Sequence, residues 1–229
     1  MVRPQSRWGA FAVHLGISLL IFLALAGVIL YCWFPGGLFA IAGGWEGIRI
    51  VAAVDLVLGP SLTLIVYNIA KPARELARDL GLIALMQLLC LGAGVYTVFH
   101  ARPLAVVHVF DTFYTFNKES YAALGVDPDA LALLPGAYPK LVYVEVPRDK
   151  KTFLDEHVKG ILNGEKPLQN QVALYRELPR DPEEVRALLQ DKDADKNVGC
   201  IRVDIETPYK TGSVCFDAVT ARLSDFIED

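Results

Sequence analysis

Three long apolar stretches fill the first hundred residues, and the pattern changes abruptly after them. Residues 11–34 and 80–99 contain no charged side chain, and residues 50–67 contain one, Asp55. Because an α-helix rises 1.5 Å per residue, about 20 residues cross a hydrocarbon layer of about 30 Å. The pattern predicts a membrane protein whose N-terminal region, residues 1–103, holds three transmembrane α-helices at about residues 11–34, 48–67 and 80–99.

The rest of the chain, residues 104–229, has the mixed pattern of a soluble domain. Short alternating runs predict strands, and longer runs with apolar residues every three or four positions predict helices. The predicted strands lie at 104–110 and 141–146, the predicted helices at 117–125, 149–162 and 181–189, and a predicted hairpin at 200–216. We therefore expect a single α+β domain after the membrane helices.

Charge gives this arrangement an orientation. The first 99 residues hold six Lys/Arg and four acids, and the remaining 130 hold 16 Lys/Arg and 22 acids. Bases cluster before the first helix and between the second and third, the latter being Lys71, Arg74 and Arg78. Because Lys and Arg stay on the cytoplasmic side, we expect a cytoplasmic N-terminus and a periplasmic C-terminal domain in a bacterial inner membrane. No basic patch supports nucleic-acid binding.

The N-terminus also has features of a cleavable signal peptide. Arg3 and Arg7 precede the first apolar run, and Ala40-Ile41-Ala42 follows it in the manner of a cleavage site. The apolar run is 24 residues long, whereas signal peptides use about 7–15. We expect an uncleaved first helix.

Two cysteines flank the predicted hairpin. Cys200 precedes its first strand and Cys215 lies near the end of the second, so pairing about the turn brings them together. In a periplasmic domain they would form a disulfide, worth about 3 kcal/mol. In a domain of the opposite topology they would stay reduced.

Asp55 is the most costly residue of the membrane region, because a carboxylate in hydrocarbon must be paired, protonated or hydrated. Counting from the helix midpoints places Asp55 and Gln87 about 8 Å apart along the membrane normal, and Asp55 and His14 about 15 Å apart. A protonated or hydrogen-bonded Asp55 that joins helices, within the chain or to a partner's helix, is favoured over a proton or ion pathway. Gly59 allows another helix to approach closely, and Pro60 is expected to kink the helix.

No motif indicates catalysis. The chain lacks the serine-hydrolase, phosphate-loop, dinucleotide and CxxC patterns. Residues 191–197 place oxygen side chains at alternate positions as a calcium loop does, but Lys196 and Arg202 occupy positions that need Gly and Glu. We expect a solvated acidic turn there, no metal, no cofactor and no enzymatic activity.

Several segments of the membrane region together resemble a known family. They are Arg7–Leu15, Trp33–Gly36, Gly43–Ile50, Val54–Leu64 and Arg102-Pro103. They are similar to those of the TfpX/TfpZ family of type IV pilin accessory proteins. The domain that follows matches only in size, order and position.

This resemblance implies a chaperone-like inner-membrane protein that supports assembly or surface display of a type IV pilin. Its expected partners are the pilin, the pilus assembly machinery and the lipid bilayer. The candidate partner-binding residues are those that match the family's motifs: Trp45, Glu46, Arg49, Asp55, Gly59 and Pro60. A membrane-anchored periplasmic sensor is the alternative, and a pilin-modifying membrane enzyme is a weaker one.

Overall fold

The structure is a computed structural model that describes residues 4–146, 150–189 and 200–229. Within these residues, three helices are long and apolar enough to cross a membrane: Arg7–Trp33, Gly44–Val66 and Ala73–Ala101. A mixed sheet with short helices follows them. The protein therefore combines three membrane-type helices with an α+β domain, as the sequence predicted. The acidic run at 191–197 lies outside the described residues.

The first two membrane helices each contain a π-helical turn. In chain order the helical elements are α1 (Arg7–Val28) with a π turn at Ile29–Trp33, α2 (Leu38–Ile41), α3 (Gly44–Ala52), a π turn at Ala53–Leu58, α4 (Gly59–Val66) and α5 (Ala73–Ala101). The second π turn stands directly before Pro60, whose ring cannot donate a backbone hydrogen bond. The Gly59 amide bonds the Val54 carbonyl, and α4 continues past the proline to Val66.

The chain divides into two compact units. The first takes in the described residues up to Tyr31 together with Gly44–Phe99, and the second takes in Cys32–Gly43 together with His100–Asp229. In the first unit α1 packs along α4 and the π turn before it. Gly47 fits against α5 so closely that a Cβ there would lie 2.8 Å from a methyl group of Val98.

Seven strands of the described chain form one mixed sheet in the second unit. They are β1 (Pro103–Val109), β2 (Thr112–Asn117), β3 (Lys140–Val144), β4 (Tyr175–Glu177), β5 (Ile201–Glu206), β6 (Thr211–Asp217) and β7 (Arg222–Glu228). Their order is β4-β3-β1-β2-β5-β6-β7. The β1–β3 and β2–β5 pairs are parallel and the others antiparallel. The helices of this unit are α6 (Lys118–Ala123), α7 (Lys150–Leu162) and α8 (Pro182–Leu189).

The predicted helices and strands of this domain are present, with ends shifted by one or two residues. The sequence analysis missed β2, β4 and β7. The core on one side of the sheet includes a buried pair of tyrosines, Tyr121 and Tyr175, whose hydroxyls lie 3.3 Å apart. Burial raises the pKa of Tyr175 to about 12, and burial raises that of Tyr121 further.

Residues 32–43, which lie between the first two membrane helices in the sequence, are part of the core of the second unit. Phe34, Leu38 and Ile41 are all buried. The Gly37 amide donates to the Leu223 carbonyl at 2.7 Å, and the Thr207 hydroxyl donates to the Ile41 carbonyl at 2.8 Å. The sequence analysis treated this segment as a simple connection in the membrane region. In the structure it holds the start of β7 and the β5–β6 turn.

Cys200 and Cys215 are joined by a disulfide, with their Cα atoms 5.4 Å apart. The residue directly opposite Cys215 in the strand register is Arg202, and Cys200 stands one residue before β5. The hairpin therefore brings the two cysteines together slightly out of register.

Candidate functional site

A cluster of polar side chains lies inside the first unit, and Gln87 of α5 is the centre of this cluster. Its amide nitrogen donates to Asp55 Oδ1 at 2.7 Å and to Ser18 Oγ at 3.2 Å. Its carbonyl oxygen lies 2.9 Å from His14 Nε2, and His14 Nδ1 lies 2.5 Å from Thr63 Oγ1. One glutamine thus connects all three membrane helices. We call these five residues the polar cluster.

The residues of the cluster on the first two membrane helices lie at four-residue spacing. His14 and Ser18 are four residues apart on α1, and Asp55, Gly59 and Thr63 follow one another at the same spacing in the second helix. Residues four apart share one face of a helix. A Cβ on Gly59 would lie 2.6 Å from Gln87 Cδ, so only glycine leaves room for the amide.

Four of the five residues of the polar cluster are buried, and His14 is half-buried. Asp55 is 0% exposed, and Ser18, Thr63 and Gln87 are also buried. Within the described chain, Asp55 Oδ2 has no hydrogen-bond partner. The Asp55 and Gln87 side chains bond directly, which spans the predicted separation of about 8 Å between their positions along the helices. Asp55 and His14 do not pair directly, as expected, but Gln87 links them.

The six candidate partner-binding residues fall into two groups. Asp55, Gly59 and Pro60 are buried inside the first unit, where Asp55 bonds Gln87 and Gly59 packs against the same side chain.

Trp45, Glu46 and Arg49, by contrast, are exposed on α3. The Arg49 guanidinium lies over the Trp45 ring, 5.6 Å from its centroid. This cation–π geometry, worth about 0.5–1 kcal/mol at an exposed site, gives α3 a polar-aromatic surface. We call Trp45, Glu46 and Arg49 the α3 surface.

Sequence reasoning missed Ser18 and Thr63 and gave His14 no role. The signal was available in the four-residue spacing that they share with His14 and Asp55. Hydroxyl side chains are common in membrane helices, however, and the π turn changes the phase of the second helix by an amount that the sequence does not reveal. The described residues contain no group of three or more His, Cys, Asp or Glu that could hold a metal ion.

Comparison with known proteins finds three similar proteins of Dichelobacter nodosus, each aligned over 106 residues, 46% of this chain. "Fimbrial assembly protein, serogroup E1" is 34% identical, and the aligned part is 41% of its length. "Fimbrial assembly protein, serogroups C1 and C2" is 33% identical, with 81% of its length aligned. "Fimbrial assembly protein, serogroup I" is 33% identical, with 41% aligned. The chain therefore spans less than half of two of these relatives and most of the third.

No family model matches the chain. No solved structure matches it either.

Proposed function

The chain belongs to the family of fimbrial assembly proteins, and we propose that it is a non-enzymatic, chaperone-like accessory protein of the bacterial inner membrane that supports type IV pilin assembly. The observation that carries this proposal is the 33% identity with a fimbrial assembly protein of which 81% is aligned. The motif resemblance to TfpX/TfpZ proteins supports the accessory role. The proposed partners are a type IV pilin and the pilus assembly machinery.

The orientation is part of the proposal: a cytoplasmic N-terminus and a periplasmic α+β domain. The bases at the N-terminal end of α1 (Arg3 and Arg7) and around the start of α5 (Lys71, Arg74 and Arg78) support it, because such residues remain cytoplasmic. The Cys200–Cys215 disulfide supports it too, because disulfides persist in the oxidising periplasm and are rare in the cytosol.

Labelling of single cysteines tests this orientation. In a background with Cys32 and Cys90 replaced by alanine, Glu119→Cys places an exposed thiol on the domain, and Glu75→Cys places one in the first turn of α5. A membrane-impermeant maleimide added to spheroplasts should label Glu119→Cys and spare Glu75→Cys. The reverse pattern would overturn the orientation.

We infer that the α3 surface is where pilin docks. Its three residues combine exposure, an aromatic ring and opposite charges, and tryptophan and arginine are the residues that most often dominate binding interfaces. Gly47, between them on the same helix, is buried against Val98. The close packing of α3 and α5 fixes the helix that presents the surface. The buried Asp55, Gly59 and Pro60 support this helix arrangement from inside.

Co-purification with the cognate pilin tests the docking surface. Trp45→Ala and Arg49→Ala should each lower the amount of pilin recovered with the tagged full-length protein. Trp8→Ala is the matched control, because Trp8 is an exposed tryptophan on a different helix, at 64% against 51% for Trp45. If Trp45→Ala and Trp8→Ala recover equal pilin, Trp45 serves only as an interfacial anchor.

Deletion of the gene tests the wider proposal. We expect loss of surface pili, restored by the wild-type gene and not by the Trp45→Ala/Arg49→Ala variant. Normal piliation after deletion, with no pilin co-purifying, would refute the accessory role and favour the sensor alternative.

A further inference from the structure

We propose that the α+β domain rests on the surface of the lipid bilayer through the exposed side chains of Leu133, Tyr138 and Tyr209. We call these three residues the collar. The inference goes beyond the proposed role in pilin assembly and does not depend on it, because it holds for either orientation of the membrane helices. It rests on where the chain enters the domain and on which side chains are exposed there.

The length of α5 places the start of the domain at the bilayer surface. This helix has 29 residues, a length of about 43 Å. A bilayer is about 40–45 Å thick with its headgroups, and about 30 Å of this is hydrocarbon. The uncharged run at 80–99 accounts for the hydrocarbon, so Ala101 stands at the level of the headgroups. One residue, Arg102, separates the end of α5 from the start of β1. The end of the sheet at which β1 begins is therefore the end nearest the lipid.

The strand register brings Leu133 to the same end of the sheet. The strand β3 runs parallel to β1, and its first residue, Lys140, stands opposite Ala105, two residues after β1 begins. The Lys140 amine donates to the Leu134 carbonyl at 2.7 Å, which fixes residue 134 beside the start of β3. Leu133 directly precedes it in the chain and so lies at this end of the domain.

The exposure of Leu133 sets it apart from its neighbours. Among the large hydrophobic side chains of the described residues it is the most exposed, at 89%. Leu131, in the same short helix at Pro128–Leu133, is fully buried in the domain core and so holds this helix in place. A leucine left in water forgoes the free energy that transfer to an apolar medium releases. Contact with lipid supplies that medium.

Two exposed tyrosines stand where the chain passes between the domain and the membrane helices. Tyr138 interacts electrostatically with Arg102, the residue between α5 and β1. Tyr209 packs against Gly43, the residue before α3, where an added Cβ would lie 3.0 Å from the tyrosine ring. Tyrosine collects at membrane–water interfaces, because its ring favours an apolar medium while its hydroxyl stays hydrated. The collar therefore has the composition of an interfacial surface.

The two chain passages also favour lipid over a protein as the occupant of this surface. Gly43 leads directly into α3, and Arg102 follows directly on α5. Because the domain is tied to membrane helices at both points, its contact with the bilayer is intramolecular in effect, and a few weak contacts are then enough to hold it. A second copy of the chain, or another protein, would have to compete with a lipid surface that is already in place.

Spin labels on the full chain test the collar in nanodiscs of phosphatidylethanolamine and phosphatidylglycerol. In the background with Cys32 and Cys90 replaced by alanine, a single nitroxide is attached at Leu133→Cys or at Leu174→Cys. Leu174 is the matched control, because it is also an exposed leucine and lies at the opposite end of the sheet. Its neighbour Tyr175 pairs with the last residue of β3.

Power saturation then measures how strongly each label is relaxed by oxygen, which concentrates in lipid, and by a water-soluble nickel chelate. The Leu133 label should be relaxed by oxygen and shielded from nickel, whereas the Leu174 label should be relaxed by nickel. A Leu133 label that is open to nickel would overturn the proposal, and so would equal shielding at both positions. Shielding of the Leu133 label from both reagents would assign this end to a protein contact and would also overturn it.

A charged substitution gives a second, independent readout. Here the nitroxide is placed at Ala137→Cys, an exposed position next to Tyr138. Leu133→Asp should raise the nickel accessibility of this label several-fold, because a carboxylate is expelled from lipid, and Leu174→Asp should leave it unchanged. Both substitutions lie at exposed positions, so the domain keeps its core. If Leu133→Asp leaves the label unchanged, or if both variants raise its accessibility equally, Leu133 does not hold the domain on lipid and the proposal fails.

Discussion

Replacing Gly59 by alanine should loosen the helix bundle through Gln87. The added Cβ would lie 2.6 Å from Gln87 Cδ and 2.7 Å from its Nε2, far inside van der Waals contact. The glutamine cannot simply swing away, because its amide is held by Asp55, Ser18 and His14. The clash therefore costs hydrogen bonds as well as packing.

The magnitude follows from those three bonds. Side-chain hydrogen bonds between membrane helices average about 0.6 kcal/mol each, so displacing the amide costs about 2 kcal/mol. This falls within the usual range of about 1–3 kcal/mol for overpacking. Alanine also gains up to about 1 kcal/mol of helix propensity over glycine, so the net loss is about 1 kcal/mol.

Gly92→Ala is the matched control, because a Cβ at Gly92, on α5, would meet nothing within 4 Å. The assay is SDS-induced unfolding of the purified chain. Gly59→Ala should be about 2 kcal/mol less stable than Gly92→Ala, a difference in which the propensity gain largely cancels. In the Gln87→Ala background, where the clash partner is gone, Gly59→Ala should cost nothing. Equal stability of the two alanine variants, or additive losses in the double variant, would refute this account.

Three further outcomes are expected for the α+β domain. Cys200→Ser/Cys215→Ser should lower its free energy of unfolding by about 3 kcal/mol for a loop of this length, read from the denaturant midpoint, and the wild type with reductant should show the same loss. Gly37→Ala should lower the thermal unfolding midpoint of the domain, because a Cβ there would lie 2.9 Å from the Leu223 carbonyl oxygen. An unchanged midpoint would contradict this close contact. Finally, Tyr175 has a folded-state pKa of about 12, above the ordinary value of 10.0, so its contribution is present below pH 10 and is lost as pH rises toward 12. Tyr175→Phe should flatten that part of the stability–pH curve, and an unchanged curve would count against the burial of this hydroxyl.

The predictable parts of the structure are those whose signal is local. The membrane helices are predictable from long apolar runs with at most one charged residue. The strands β5 and β6 are predictable from alternation on both sides of a turn. The strand β7 was missed because Asp225, in the middle of it, has a φ of +47° and breaks the alternation on which strand prediction depends. The strand β4 has only three residues, too few for any periodicity.

The candidate site shows the same division. Depth counting along ideal helices was enough to bring Asp55 and Gln87 within reach of each other. It could not show that Gln87 would also engage His14 and Ser18, because this depends on how the helices rotate about their axes. A π turn at Ala53–Leu58 changes that rotation in the second helix, and no local pattern in the sequence reveals it.

The contact between residues 32–43 and the C-terminal strands has a consequence for how the protein is made. Ile41 and Thr207, which bond each other, are separated by 166 residues. At about 5–20 residues per second, a ribosome needs on the order of 10–30 s to reach the second after making the first. During that interval Phe34, Leu38 and Ile41 have been synthesised but their binding surface has not. Any chain that stops short of β5 leaves these three apolar side chains uncovered, a mark by which a protease or chaperone could tell an unfinished copy from a complete one.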